Sequence, residues 1–331
     1  MLLEVRLELA DPGLEPAFQP ALAELVLDAM EATLVHGSMI GTRTGGRNEP
    51  IGLTFGSGGP VRCLAVRGFL LINPRAGTES PTAEELAQAA RERGIEPHVL
   101  REGEDASELA RHADADALGA AGGDGSVATV AAVAVERDLP LVVVPYGTRN
   151  HFARDLGLDR DDPLAALDGF RGEERRVDVG RAGERRFLNN VSLGRYAELV
   201  HRREHHRRRR QALAGLRALR LGLRRQPGAW ARIDGEPIHA RVLLVANNAY
   251  ELSLFSIGER TRLDEGKLHL YAAKGVLPRT WEERSGERFE LDAPQRRLPV
   301  AIDGEPAELE TPLELGIEPG ALRALLPRAQ D

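Results

Sequence analysis

The sequence predicts an α/β fold in two domains: a three-layer domain with a parallel sheet between helices, then a mostly antiparallel β-domain. Three observations carry this. Short apolar runs alternate with capped amphipathic stretches from residue 63 to about 170. From about 171 onward, apolar and polar residues alternate singly between glycine turns. Three of the early apolar runs end in turns that share glycine with amide or hydroxyl side chains. Strand–helix alternation requires a parallel sheet covered on both faces, whereas period-two alternation with tight turns marks antiparallel hairpins. Ligands of open parallel sheets sit beyond the carboxyl ends of strands, so the shared turns mark a candidate site.

Composition narrows the classes. A chain of 331 residues has room for two cores, and 42% hydrophobic with 29% charged residues excludes a disordered chain. The lone Cys63 excludes an internal disulfide and a thiolate zinc cluster, which fits a reducing compartment. No stretch reaches the ~20 apolar residues of a membrane helix, and no leader is expected. Of the 44 basic residues only Lys267 and Lys274 are lysines. A P-loop needs a lysine beside its glycines and a protein kinase needs one on an early strand, so both are excluded. Any phosphate must be held by backbone amides, hydroxyls and arginine.

In chain order, residues 1–62 read as an extension, with a helix over about 15–35 and then a glycine-rich loop. GFLLINP (68–74) is a short apolar strand ending in turn residues. SPTAEELAQAARERG (80–94) has Ser80 or Thr82 as cap, Pro81 near the first turn, acids early, arginines late and a closing glycine, the signature of a helix. EPHVL is a strand, DASELARHA a helix, ADALGAAGG a strand and SVATVAAVAVERD a helix. LPLVVVP is a buried strand and RNHFARDLG opens another helix. These elements form a domain over 63–170. Residues 171–317 read as hairpins interrupted by one helical segment at about 202–225. Asp-Gly-Glu-Pro occurs at 234–237 and at 303–306, each time as a hairpin turn.

The stretch AAGGDGS (120–126) falls where an apolar strand meets a helix, where exposed amides and the helix's positive end attract anions. Such a turn is also common without function. NPRAG (73–77) closes the first strand and PYGTRNHFARDLGL (145–158) follows the fourth. Asn73, Ser126, Thr148 and Asn150 offer donors to phosphate or ribose oxygens, and the amides of Gly122, Gly123 and Gly125 offer a floor. The competing reading makes Asn73 and Asn150 turn or helix caps.

NPxxG, GGDG[TS], PxGTxNxFAR, FLNNVSLG (187–194), and DGE (303–305) followed by PLELGIEPGALRALLP, together resemble the diacylglycerol kinase catalytic family of soluble bacterial lipid kinases. The motifs run in order from Gly68 to Pro327. The resemblance implies an ATP site in the cleft between the α/β domain and a β-sandwich, with residues about 318–331 returning to the first domain. It implies Mg²⁺-dependent phosphate transfer to a lipid hydroxyl, most simply that of diacylglycerol. It puts nucleotide at Asn73, Gly77, the Gly122–Ser126 loop, Gly147, Thr148 and Asn150. Asp124 would link phosphates, Mg²⁺ and acceptor, and Glu305, Asp303 or Asp124 would be the base. RLDEGKLHL (262–270) resembles the family's metal-associated DDGxL, with Glu265 beside Asp264 in place of a second aspartate. Arg101, Arg149 and His151 depart from the pattern, standing where threonine, glycine and aspartate are usual.

Residues 201–225 carry ten arginines on a chain of net charge −7. A helix here would align Leu213, Leu216, Leu219 and Leu223, so the segment reads as an anionic-lipid contact, Arg202–Arg225, or as a solvated basic face packed on the sandwich. Nucleic acid is not expected as a partner for an acidic chain with 4% aromatics. The expected location is cytoplasmic, peripheral at the inner face of the membrane, and a homodimer is compatible with it. Rival readings are a non-catalytic nucleotide- or lipid-binding protein and a phosphofructokinase- or NAD kinase-like enzyme, which share GGDG. Phosphofructokinase would want Pro-Gly-Thr-Ile-Asp-Asn-Asp where this chain has Tyr-Gly-Thr-Arg-Asn-His-Phe.

Overall fold

A computed structural model describes residues 67–77, 81–194, 231–240, 242–251, 260–273 and 281–328. The extension 1–62, Cys63 and the basic segment 202–225 lie outside the described residues.

Four short strands, β1 (Gly68–Ile72), β2 (Ile95–Val99), β3 (Ala117–Gly122) and β4 (Leu141–Pro145), lie parallel in the order β2-β1-β3-β4. Alternate residues serve opposite faces. Phe69, Leu71, Leu118 and Val143 join one core, while Leu70, Ile72, Ala121 and Val144 join the other. Helix α1 (Ala83–Glu92) covers the second face through Leu86, Ala87 and Ala90. Helices α2 (Ala106–His112) and α3 (Asp124–Glu136) cover the first. Thr82 caps α1 in a capping box: its hydroxyl accepts from the Glu85 N–H and the Glu85 carboxylate accepts from the Thr82 N–H. Two short helices, α4 (His151–Asp155) and α5 (Pro163–Ala166), follow β4.

The strand order reverses between β1 and β3: from β1 the chain crosses to β2 on one side, and then β3 and β4 build outward on the other. In open α/β sheets such a reversal leaves a crevice at the strand ends. Both strands that flank it carry a singled-out turn, NPRAG after β1 and GGDGS after β3.

The second half is antiparallel. β7 (Asn190–Gly194), β10 (Val242–Asn247), β11 (Leu268–Ala273), β12 (Glu282–Gly286), β14 (Arg297–Ile302) and β15 (Glu305–Glu310) form a six-stranded sheet. It packs on strands β5 (Glu173–Ala182), β6 (Arg185–Phe187), β8 (Ala231–Ile233), β9 (Glu236–Ile238), β13 (Arg288–Asp292) and β16 (Leu313–Leu326), enclosing a core that includes Phe187, Leu243, Leu270, Val300 and Leu315. The hairpin pattern thus appears as a two-sheet sandwich.

The two halves do not have separate sheets. The first sheet of the sandwich continues into the parallel sheet, making ten strands. The link is β16, fourteen residues long. Its first part pairs with β13 (Leu315 opposite Phe289), its last part pairs parallel with β4 (Ala324 opposite Leu141), and β5 lies antiparallel along both. A register shift between Glu318 and Leu322 bends it, with Gly320 at φ 58°. Asp178 of β5 holds this corner, accepting from the N–H groups of Gly320 at 2.8 Å and Gly266 at 2.7 Å. Strand β4 would otherwise offer an unpaired apolar edge.

Candidate active site

The loops after β1, β3 and β4 are tied to one another. Asn73 donates its side-chain N–H to the Ser126 hydroxyl at 2.9 Å and accepts from the Arg75 N–H at 3.0 Å. Its own backbone N–H bonds the Ala121 carbonyl at 2.9 Å. A Cβ on Gly122 would lie 2.6 Å from the Ser126 Cβ, so a residue with a side chain would push Ser126 and its Asn73 contact away.

The loop 145–150 closes on itself. Asn150 accepts from the Gly147 N–H at 3.1 Å and donates to the Gly147 carbonyl at 2.7 Å, from a left-handed backbone at φ 50°. Its side chain is buried and both ends of its amide serve this turn. A Cβ on Gly147 would stand 2.5 Å from the Gly123 Cα. The β3 and β4 loops therefore approach backbone to backbone. Gly77 also meets the β4 loop: a Cβ there would run into the Tyr146 ring. Thr148 is exposed at the rim.

Helix α3 starts beneath this cradle with Gly123 as its cap and no capping side chain, so its first-turn amides are unspent. This geometry fits the phosphates of a nucleotide, which need close backbone approach and N–H donors. Asp124 opens the helix and accepts from the Phe152 N–H of α4 at 3.1 Å, coupling the β3 loop to the β4 loop. His151, the first residue of α4, is held below the usual imidazole range by burial, against the pull of the Asp124 carboxylate. Its Nδ1 is buried without a hydrogen-bond partner among the described residues. Arg149 is exposed and its carbonyl accepts from Arg160 at 2.9 Å. Arg101 is exposed too, with its N–H on the Glu104 carboxylate at 2.8 Å.

The two Asp-Gly-Glu-Pro copies make the same turn. Asp234 and Gly235 have φ of 51° and 80°, and Asp303 and Gly304 have 49° and 84°. Two left-handed residues in succession are what a type I′ hairpin requires. The surroundings differ. Asp234 accepts one backbone N–H, from Glu290 at 2.8 Å. Asp303 accepts three: from Leu188 at 2.8 Å on one oxygen, and from Asn189 at 2.7 Å and Asn190 at 3.1 Å on the other. Burial pushes the Asp303 carboxyl up to about 6, opposed by those amides and by Arg260. With both oxygens engaged, Asp303 supports a turn. Glu305, on the strand that leaves it, is exposed and reaches the start of α3: its Oε1 lies 3.1 Å from where a Cβ on Gly125 would be. Of these acids, Glu305 is the one brought to the cradle with a carboxylate that makes no hydrogen bond among the described residues.

The structure does not bring Asp264 and Glu265 together with Asp124 as a metal centre. Asp264 is exposed and pairs with Arg262 at 3.2 Å. Glu265 accepts from the Ala249 N–H at 3.1 Å and pairs with His269 at 3.1 Å. Among the described residues no group of three or more His, Cys, Asp and Glu side chains is placed to hold a metal ion.

A buried polar knot beside the site escaped the sequence reading. It comprises Asn189, Asn247, Asn248 and Arg260, all buried, together with Asp155. Its signal was the pair of Asn-Asn doublets bracketing apolar strands, FLNNVSL and LLVANN, since buried amides at strand ends must be paired.

The sequence profile of the diacylglycerol kinase catalytic domain matches residues 67–182. A protein named probable lipid kinase YegS-like, from Klebsiella pneumoniae (strain 342), is 26% identical over 287 residues, spanning 78% of this chain and 95% of its own. A diacylglycerol kinase of Bacillus subtilis (strain 168) is 32% identical over 145 residues, 41% of this chain and 48% of its own. Among solved structures, a diacylglycerol kinase from Bacillus anthracis str. Sterne superposes with a TM-score of 0.58 at 18% identity, covering 78% of this chain and 96% of that one, a likeness of fold.

Proposed function

We propose, from the match of residues 67–182 to the diacylglycerol kinase catalytic domain profile, that the chain is an ATP-dependent lipid kinase acting on diacylglycerol or a close relative. The single observation that supports it most is the meeting of Glu305 with the uncapped start of α3, which puts an exposed carboxylate beside a phosphate cradle.

ATP is a substrate here. The lipid hydroxyl forms a bond to the γ-phosphorus, the bond from that phosphorus to the β-phosphate oxygen breaks, and ADP leaves. Glu305 takes the hydroxyl proton as the oxygen attacks. The amides at the start of α3 receive phosphate oxygens, with Thr148 and Ser126 as hydroxyl donors. Asn73 and Asn150 hold the loops in shape. Asp124 fixes α4 through the Phe152 N–H. Mg²⁺, arriving with the nucleotide, would neutralise phosphate charge. The location proposed is cytoplasmic, with the membrane touched from its inner face through the Arg202–Arg225 segment.

Incubation with γ-labelled ATP, Mg²⁺ and separate vesicles containing diacylglycerol, ceramide, a sphingoid base or phosphatidylglycerol tests this. Labelled phosphatidate or another phospholipid is expected, and Asp124→Ala should abolish it in a folded protein. Label on fructose 6-phosphate or NAD instead, or nucleotide binding with no labelled lipid, would overturn the reading.

A further inference from the structure

Arg260 is fully buried, and it grips three parts of the molecule at once. Its Nε donates to Asp155 Oδ2 at 2.7 Å, at the end of α4. One terminal nitrogen donates to the carbonyls of Leu188 at 2.6 Å and Asn247 at 2.9 Å. The other donates to the Asn189 side chain at 2.7 Å. The guanidinium also lies over the Tyr250 ring, 5.7 Å from its centroid. A buried cation with four of its five N–H donors bonded is costly to assemble, and losing its carboxylate partner leaves a charge uncompensated.

Each contact leads toward the site. Asp155 belongs to the five-residue helix whose Phe152 N–H holds Asp124. Leu188 and Asn189 are gripped by Arg260 through the Leu188 carbonyl and the Asn189 side chain, and by Asp303 through their N–H groups. The Asp303 turn in turn launches Glu305. Arg260 therefore joins α4, whose Phe152 N–H holds Asp124, to the 188–190 segment, whose N–H groups hold the turn before Glu305.

We infer that Arg260 is a positioning residue that sets Glu305 against the start of α3 by clamping Asp155 to the Leu188–Asn190 segment. Lysine cannot replace it, because a single ammonium lacks the planar fork that reaches three directions. The catalytic consequence rests on the kinase reading above; the geometric one does not.

Two measurements test it. In the lipid kinase assay, Arg260→Lys and the charge-neutral pair Asp155→Asn/Arg260→Met should lower kcat about ten- to a hundredfold, with KM for ATP changed less than about twofold. The pair keeps the test available if the unpaired Asp155 of a single variant prevents folding. In a Glu305→Gln background the same changes should lower kcat no further, because residues that act through one group are not additive. An unchanged kcat in a folded variant, or losses that multiply in the Glu305→Gln background, would overturn the inference. Independently of turnover, Gly125→Cys/Glu305→Cys in a Cys63→Ser chain should oxidise readily to a disulfide, and at least about tenfold more slowly once Arg260 and Asp155 are replaced. Equal rates would overturn the inference. If the unsubstituted protein labels no lipid, the kinase reading fails and the disulfide trap alone decides the role of Arg260.

Discussion

At the scale of single residues, the site depends on missing side chains as much as on present ones. Gly147→Ala would set a Cβ 2.5 Å from the Gly123 Cα, backbone that cannot yield. It should cost about 1–3 kcal/mol of stability and raise the ATP dissociation constant at least tenfold, read by thermal unfolding and by calorimetry. Glu305→Gln keeps the shape and removes the base. It should lower kcat about a hundredfold or more with little change in melting temperature. Asp303 makes a different prediction, because its proton affinity rises on folding. Burial holds it at about 6, above the ordinary aspartate value, so the folded state binds this proton more tightly than the unfolded chain. The stability it contributes is fully present below about pH 4 and is lost as pH rises through about 6. Asp303→Asn does not titrate, so its deficit in melting temperature against the parent protein should narrow from pH 4.5 to pH 7. A deficit that stays constant over that range would show that Asp303 is not titrating there.

At the scale of elements, local chemistry was readable where one residue type does one job. The α1 capping box was legible because Thr82 and Glu85 stand three apart before an apolar run. Thr82→Ala should cost about 1 kcal/mol in chemical denaturation and leave turnover unchanged, since it touches none of the cradle. The strand–helix rhythm up to α4 was legible for the same reason, each strand being an apolar run cut by a turn. The two Asp-Gly-Glu-Pro turns show where reading stops. Both adopt one backbone geometry, and their sequences are identical over four residues. Only the neighbours differ: three inward-facing amides at Asp303 against one at Asp234.

At the scale of the whole molecule, β16 is the element on which both halves depend. It fills the edge beside β4 and runs the length of β5. Truncation before Glu318 would strip β4 of one neighbour and β5 of half its pairing, and would remove Leu322 and Ala324, both fully buried, uncovering the core around Val143 and Val177. The truncated chain should lose the single cooperative unfolding transition and bind a hydrophobic dye, whereas a retained sharp transition would mean the halves are independent. The Arg260 knot is of the same scale, since its members come from residues 155, 188–189, 247 and 260, far apart in the chain. The sequence by itself determined the alternation of strands and helices, the antiparallel second half, the absence of any lysine-based phosphate loop and the glycine turns at strand ends. These follow from periodicity and residue chemistry within a few positions. Tertiary structure alone decided that the turns after β1 and β3 flank the reversal of strand order, and that β16 makes one sheet of two halves. It alone separated Glu305 from Asp303, and kept Asp264 and Glu265 from joining Asp124 as a metal centre. Those outcomes depend on which distant backbone groups arrive beside a carboxylate, and no local pattern encodes an encounter between segments a hundred or more residues apart.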